Sequence, residues 1–338
     1  MSCPRSLKIL LGLWAGRGVL RRRLRNRCII FAAHRVVDQR SYDQCSFQKS
    51  IQVTSGGFRL FLKNLKKDFN VVPLSSLLHT KKKEDPDDMP LAVITFDDGW
   101  RDNYELGFPI IGQEQVPATI FLTTDYIDND FGFWWQSLGE VLSDKTLSSV
   151  CRRKISEYMS KILANGGNDM DVFANVDASI ELLKTMYSYK ALAITEKILE
   201  LAQGDTVRSQ ALTWEQCRAM GSRGVTFGSH TLSHPRLTCL DDHTLEKELT
   251  QSRNILLENR VPYVNAVCYP FGDFNRRVMN RAARYYQLGL TTLSGAVECG
   301  RWEAMALPRI NISEDVAENQ SLLRYRLLKA TFKRYIPL

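Results

Sequence analysis

Histidine is scarce in this chain, five in 338 residues, so any chemistry that needs imidazole has few candidates. No run of about 18 consecutive apolar residues occurs, which excludes a conventional membrane-spanning helix. The eight cysteines, at 3, 28, 45, 151, 217, 239, 268 and 299, form no C-x-x-C pair. That scatter excludes a zinc ribbon and a disulfide framework; it reads as reduced, mostly buried thiols in a cytosolic chain. Internal repeats and low-complexity tracts are absent as well. The formal charge of +8 comes without a recognisable nucleic-acid reading module, so no nucleic-acid partner is expected.

The positive charge is not spread evenly. Residues 17–27, "RGVLRRRLRNR", hold six arginines and no acid. With "LKILLGLWAG" before them they form a basic amphipathic segment over residues 1–27. The apolar stretch is too short, and a small-residue cleavage site too unclear, for a secretory signal. Two readings stand: a solvated basic helix packed on the domain, or peripheral attachment to an anionic membrane surface through Leu10, Leu11, Leu13 and Trp14. The expected location is cytoplasmic, with any membrane contact peripheral and at the inner face.

From residue 28 strands alternate with helices, the signature of a parallel α/β sheet or barrel. "CIIFAAH" (28–34), "LAVITF" (91–96), "PATIFLTT" (117–124), "VTFGSH", "VNAVCYPFG", "LGLTT" and "ALPRINIS" read as strands. "GGFRLFLKNLKKDF" (56–69), "NYELGFPIIGQEQ" (103–115) and "DDHTLEKELTQSRNILLENR" read as helices. Residues 131–212 break the rhythm with helical periodicity and no strand, and are expected to be a helical insertion in a barrel spanning 28–338. The charge run "KKKEDPDDMP" (81–90) is a solvated loop.

Three strand ends carry polar residues of catalytic type: "TFDDG", "GSHTLSHP" and "YPFG". In a parallel barrel the C-terminal strand ends gather on one face, where the active site lies. His230 and His234, four apart on what would be a helical turn, can face one ion, and a carboxylate from Asp97–Asp98 supplies a third ligand. One aspartate can bind metal while its neighbour stays free as a general base. Alone, an Asp-Asp-Gly is a turn with a helix N-cap.

These motifs, in this order, resemble the first three motifs of the polysaccharide deacetylases, the NodB-homology or carbohydrate esterase family 4 group. The likeness covers roughly residues 28–130 and 213–313. "AAHRVVD" and "LPRINIS" are similar to parts of a subgroup with a "YHRV" start. The resemblance implies a distorted (β/α)7 barrel and metal-dependent removal of an N-acetyl, or related acyl, group from a sugar of a polysaccharide or lipid-linked glycan. Carried over by position, Asp98, His230 and His234 would bind a divalent metal, zinc first. Asp97 would be the base, and the backbone N–H of Phe271 would hold the oxyanion.

Two departures stand out. The family's third motif carries an arginine that orients the catalytic aspartate; here Cys268 occupies its place. Arg309, in "LPRI", either replaces it or forms a surface salt bridge. The family's last motif supplies a histidine as general acid, and none follows Leu307 here. His34 is the candidate acid; otherwise it is a buried histidine bonded to backbone. His79 and His243 are expected outside the site. Phe131, Phe133, Trp134 and Trp135 could wall the sugar or anchor the insertion; Trp134, Trp100 and Tyr269 are expected to touch the substrate. The rival readings are a degenerate barrel that only binds polysaccharide, and a hydrolase of another amide or O-acyl ester.

Overall fold

Hydrophobic runs that are buried on both faces set the architecture. In the computed structural model, which describes residues 4–79, 89–129, 133–163, 171–186, 188–203 and 210–332, the strand Leu91–Phe96 is buried at every residue, as is Ala118–Leu122. Such continuous burial is what a parallel sheet covered by helices requires. Arg27–Ala33 pairs in parallel with Leu91–Phe96, which pairs with Ala118–Leu122, then Val225–Ser229, Tyr263–Cys268 and Leu288–Leu290. Ile310–Asn311 lies parallel to Phe31–Ala32, and Leu307 bridges Leu290. The segment 307–311 thus joins the last strand back to the first, and the sheet curls into a distorted barrel, with Asn70–Val71 added in parallel beside Leu91–Ala92 and Val297–Glu298 antiparallel beside Arg27–Cys28.

Helices clothe this sheet where their apolar faces and caps predict. Ser55–Leu65 buries Phe58, Phe61, Leu62 and Leu65, and Thr54 caps it by accepting from the Gly57 N–H. Trp214–Gly221 begins with a capping box between Thr213 and Gln216. The stretch 103–115 is a π-helical turn, Asn103–Gly107, followed by the α-helix Phe108–Glu114. "ALPRINIS" pairs over only two residues, because its neighbours act as the closing bridge rather than a full strand.

Between residues 133 and 203 the described residues form four helices: Trp134–Ser143, Ser149–Leu163, Val176–Leu183 and Ser188–Ala202. They share a core of their own, including Leu138, Ile155, Ile180 and Ile198, into which Trp100 also reaches. Trp100 bridges Ala211, so the exit of this region is tied beside the paired aspartates. Two N-terminal helices, Arg5–Trp14 and Arg17–Leu24, pack against the helix Gln320–Phe332. No helix among the described residues is long and apolar enough to cross a membrane.

Candidate active site

The strand Leu91–Phe96 delivers Asp97, and the chain then turns through two left-handed residues, Asp98 (φ 75°) and Gly99 (φ 91°). The turn sends the two carboxylates to different partners. Asp98 is buried, its Oδ1 3.4 Å from both His230 Nε2 and His234 Nε2. Its Oδ2 accepts a 2.8 Å hydrogen bond from the Trp100 indole N–H. The two imidazole Nε2 atoms are 3.2 Å apart.

These three atoms have the spacing of ligands about 2.0–2.2 Å from a single ion. Two imidazoles and one carboxylate are a donor set for a divalent transition metal with open positions. His230 Nδ1 is 2.7 Å from the Cys268 carbonyl, which fixes the tautomer that leaves Nε2 a lone pair for metal. The His234 Nδ1 is buried with no hydrogen-bond partner. The residues therefore fit a metal.

The loop carrying the histidines is not a helical turn, as their four-residue spacing suggested. Thr231 (φ 67°) and His234 (φ 59°) are left-handed, and the chain doubles back so that both rings converge. For a β-branched residue such as Thr231 this conformation is strained. Glu248, on the helix Asp242–Glu258, holds the loop. Its carboxylate accepts from the Leu232 and Ser233 N–H groups, both at 2.9 Å, and from the Ser233 hydroxyl at 2.6 Å. Sequence reasoning missed Glu248; the signal was an acid on the buried face of a helix.

Asp97 faces the other way. Arg309 Nη1 and Nη2 donate to its two carboxylate oxygens, each at 2.7 Å, and Arg309 is 3% exposed. Burial opposes ionisation of Asp97, but the guanidinium outweighs it and holds the carboxyl down at about 2. Arg309 is itself fixed by its Nε on the Thr291 carbonyl at 2.9 Å and by Thr95 Oγ1 at 3.2 Å. The Cys268 sulfur lies 3.0 Å from Arg309 Nη2 and 3.5 Å from Asp97 Oδ2. Arg309 is thus no surface salt bridge.

His34 ends the first strand with Nε2 3.8 Å from Asp97 Oδ2, and its Nδ1 has no partner. Burial pushes its pKa down, against the pull of the two aspartates, so it is neutral at neutral pH. Together with Asp97, Asp98, His230 and His234 it lines a cleft of about 410 Å³. Phe271, left-handed at φ 59°, lines the same cleft, its ring 4.5 Å from that of His234. Lys184 and Arg236, which also line the cleft, stand over that ring, 5.3 and 4.9 Å from its centroid.

Two expected substrate contacts, Trp100 and Trp134, are corrected. Trp100 is 0% exposed and has no surface to offer a sugar; it supports Asp98 instead. Tyr269 is among the residues that line the cleft, although its side chain is buried and its hydroxyl donates to the Met305 carbonyl at 2.9 Å. Trp134 packs in the helical core, and it is its neighbour Trp135 that lines the cleft, 5.0 Å from the His234 ring. Phe133 is buried against Trp100, and Phe131 lies outside the described residues. His79 and His243 are exposed and absent from the cleft lining.

The geometry agrees with what comparison with known proteins finds. The family described as polysaccharide deacetylase matches residues 84–292. That is more than half of the chain, which belongs to this family. YxkH of Bacillus subtilis (strain 168), named for the same family, is 31% identical over 104 residues, 30% of this chain and 37% of YxkH. The chain therefore aligns with little more than a third of that relative. Among solved structures, the deacetylase PplD of Streptococcus pyogenes, in complex with acetate, superposes with a TM-score of 0.54 at 17% identity, covering 90% of this chain and 97% of PplD. BA0330 of Bacillus anthracis gives 0.55 at 16% identity, covering 87% and 68%. IcaB of Ammonifex degensii gives 0.54 at 14%, covering 89% and 97%. At these identities the structures speak to the fold.

Proposed function

We propose that the cleft hydrolyses an N-acyl group, N-acetyl first, on a sugar of a polysaccharide or related glycan. Asp98, His230 and His234 would hold a divalent ion, zinc being the simplest occupant of this donor set. The observation that carries the reading is the pair of opposed carboxylates. One aspartate sits in a ligand triangle, while the next in sequence is held ionised by Arg309 and stays outside that triangle. A barrel that only binds polysaccharide has no use for that division.

When bound, the ion supplies Lewis-acid polarisation of the acyl carbonyl and acidifies a water. Asp97, kept as a carboxylate by Arg309, orients that water and accepts its proton. At about 2 its pKa makes it a weak base, so the proton must move on. His34 Nε2, neutral and 3.8 Å away, is placed to take it and pass it to the leaving amine. The Phe271 N–H would meet the oxyanion, and Trp135 would replace Trp134 as the aromatic wall for the sugar ring. Acetate, seen with PplD, is the product expected here.

The test is acetate release from N-acetylated oligosaccharides, with elemental analysis of each variant. Asp97→Asn is expected to keep its metal and lose on the order of 10²–10⁴-fold in turnover. Asp98→Asn and His230→Ala are expected to lose the metal itself. Near wild-type turnover in Asp97→Asn sinks the base assignment.

A further inference from the structure

The N-terminal helix Arg5–Trp14 turns its apolar side away from the protein. Gly12 is buried; a Cβ there would lie 1.8 Å from the Ser321 carbonyl oxygen, so this side of the helix faces the protein. Leu7, Leu10, Leu13 and Trp14 are 45%, 61%, 58% and 69% exposed. At about 100° per residue these four fall within an arc of about 120°, and Gly12 projects from the other side. Phe332, at the end of the adjoining helix, is 61% exposed with Arg23 over its ring. Exposed apolar side chains grouped on one helix face mark an interaction site, whereas scattered single ones do not.

The charge around this patch says what covers it. Between Pro4 and Arg27 there are eight lysines and arginines and no acidic residue, and the helix Gln320–Phe332 also lacks an acid. Arg17 pairs with Asp68 at 3.0 Å, while Arg22 and Arg23 are exposed. Beside them a cavity of about 360 Å³ sets Arg17, Arg21 and Lys67 around Leu24, Phe69 and Leu327. A second copy docked face to face would set this cationic surface against its own like. An anionic bilayer meets both requirements at once, apolar depth for the leucines and phosphates for the arginines.

We propose that this face docks on an anionic lipid bilayer, with Leu10, Leu13 and Trp14 entering the boundary between headgroups and acyl chains. The helix Arg17–Leu24 leads into the N-terminal end of the strand Arg27–Ala33, at the opposite end of the barrel from the cleft. Docking therefore leaves the cleft clear of the headgroups and open to a glycan. This holds whatever the cleft hydrolyses.

The test is flotation of the full chain with vesicles of phosphatidylcholine alone and of phosphatidylcholine with about 30% phosphatidylglycerol. The wild type should float with the anionic vesicles only, and salt should release it. Leu10→Glu with Leu13→Glu, at exposed positions that leave the fold and acetate release unchanged, should cut the bound fraction about tenfold or more. Brominated lipid should quench fluorescence in the wild type and less in Trp14→Phe. Failure of the wild type to float, equal flotation with neutral vesicles, or flotation indifferent to the leucine changes overturns the proposal. So does a lipid-free dimer that the leucine changes abolish, because the face would then belong to a second copy.

Discussion

Removing the Arg309 side chain asks how two adjacent carboxylates coexist below the protein surface. Asp97 is 2% exposed and Arg309 3%, and two 2.7 Å hydrogen bonds join them. Burial alone would raise the Asp97 pKa; Arg309 reverses this and sets it at about 2 against an ordinary 3.8. That difference is worth about 2 kcal/mol. A lowered folded-state pKa gives stability that is present above pH 3.8 and lost as pH falls through about 2. In Arg309→Met the largest counterweight to burial is gone and only His230 and His34 still lower the carboxyl, so its folded pKa rises and the stabilisation is lost. The variant then falls behind the wild type as pH rises from about 2, reaching about 3–5 kcal/mol near neutrality, the cost of a buried charge without its partner. For a chain of this length that is a fall of about 4–7 °C in Tm. Thermal denaturation of EDTA-treated wild type and variant at about pH 3 and about pH 7.5 reads it directly. A Tm gap that is the same at both pH values refutes the electrostatic account. Arg309→Lys should recover only part of the loss, because an ammonium cannot serve both carboxylate oxygens as a fork.

Trp100→Phe keeps the buried ring and removes the N–H that Asp98 Oδ2 accepts at 2.8 Å; zinc affinity, measured by titration calorimetry, is expected to fall about 10–100-fold. Gly228→Ala would place a Cβ 2.5 Å from the Phe121 ring and 3.1 Å from the Ala266 carbonyl oxygen. Overpacking there should cost about 1–3 kcal/mol in denaturant unfolding.

Much of the barrel is legible in the sequence because burial on both faces leaves long apolar runs, as in "LAVITF", and because amphipathic helices such as Ser55–Leu65 carry period and cap together. The cleft residues are legible as residue types at strand ends. Their geometry is not, because it depends on left-handed backbone at Asp98, Thr231, His234 and Phe271, which are not the glycines that usually announce such turns. Choosing between Trp134 and Trp135 needs the helix start to within one residue, since each step rotates a side chain by about 100°. Trp100 misleads for a related reason. Proximity in sequence to the aspartates suggests the cleft, whereas its ring turns under Asp98 and into the helical core.

The missing arginine of the Cys268 motif is better understood as a moved one. The closing segment 307–311 runs between the strand ends of Leu288–Leu290 and Arg27–Ala33, with the Arg309 N–H bonded to the Leu293 carbonyl at 2.7 Å. From there the guanidinium reaches Asp97 across the barrel mouth, and its Nη2 comes within 3.0 Å of the Cys268 sulfur. An arginine stem starting at 268 would need that same space and would add a second buried cation against one carboxylate. A small, neutral side chain at 268 is therefore a condition for Arg309 to sit where it does. Burial pushes the Cys268 thiol pKa up, which keeps it uncharged beside Asp97. The two departures at 268 and 309 are one arrangement, which leaves the carboxylate with its cation and changes only the strand that supplies it.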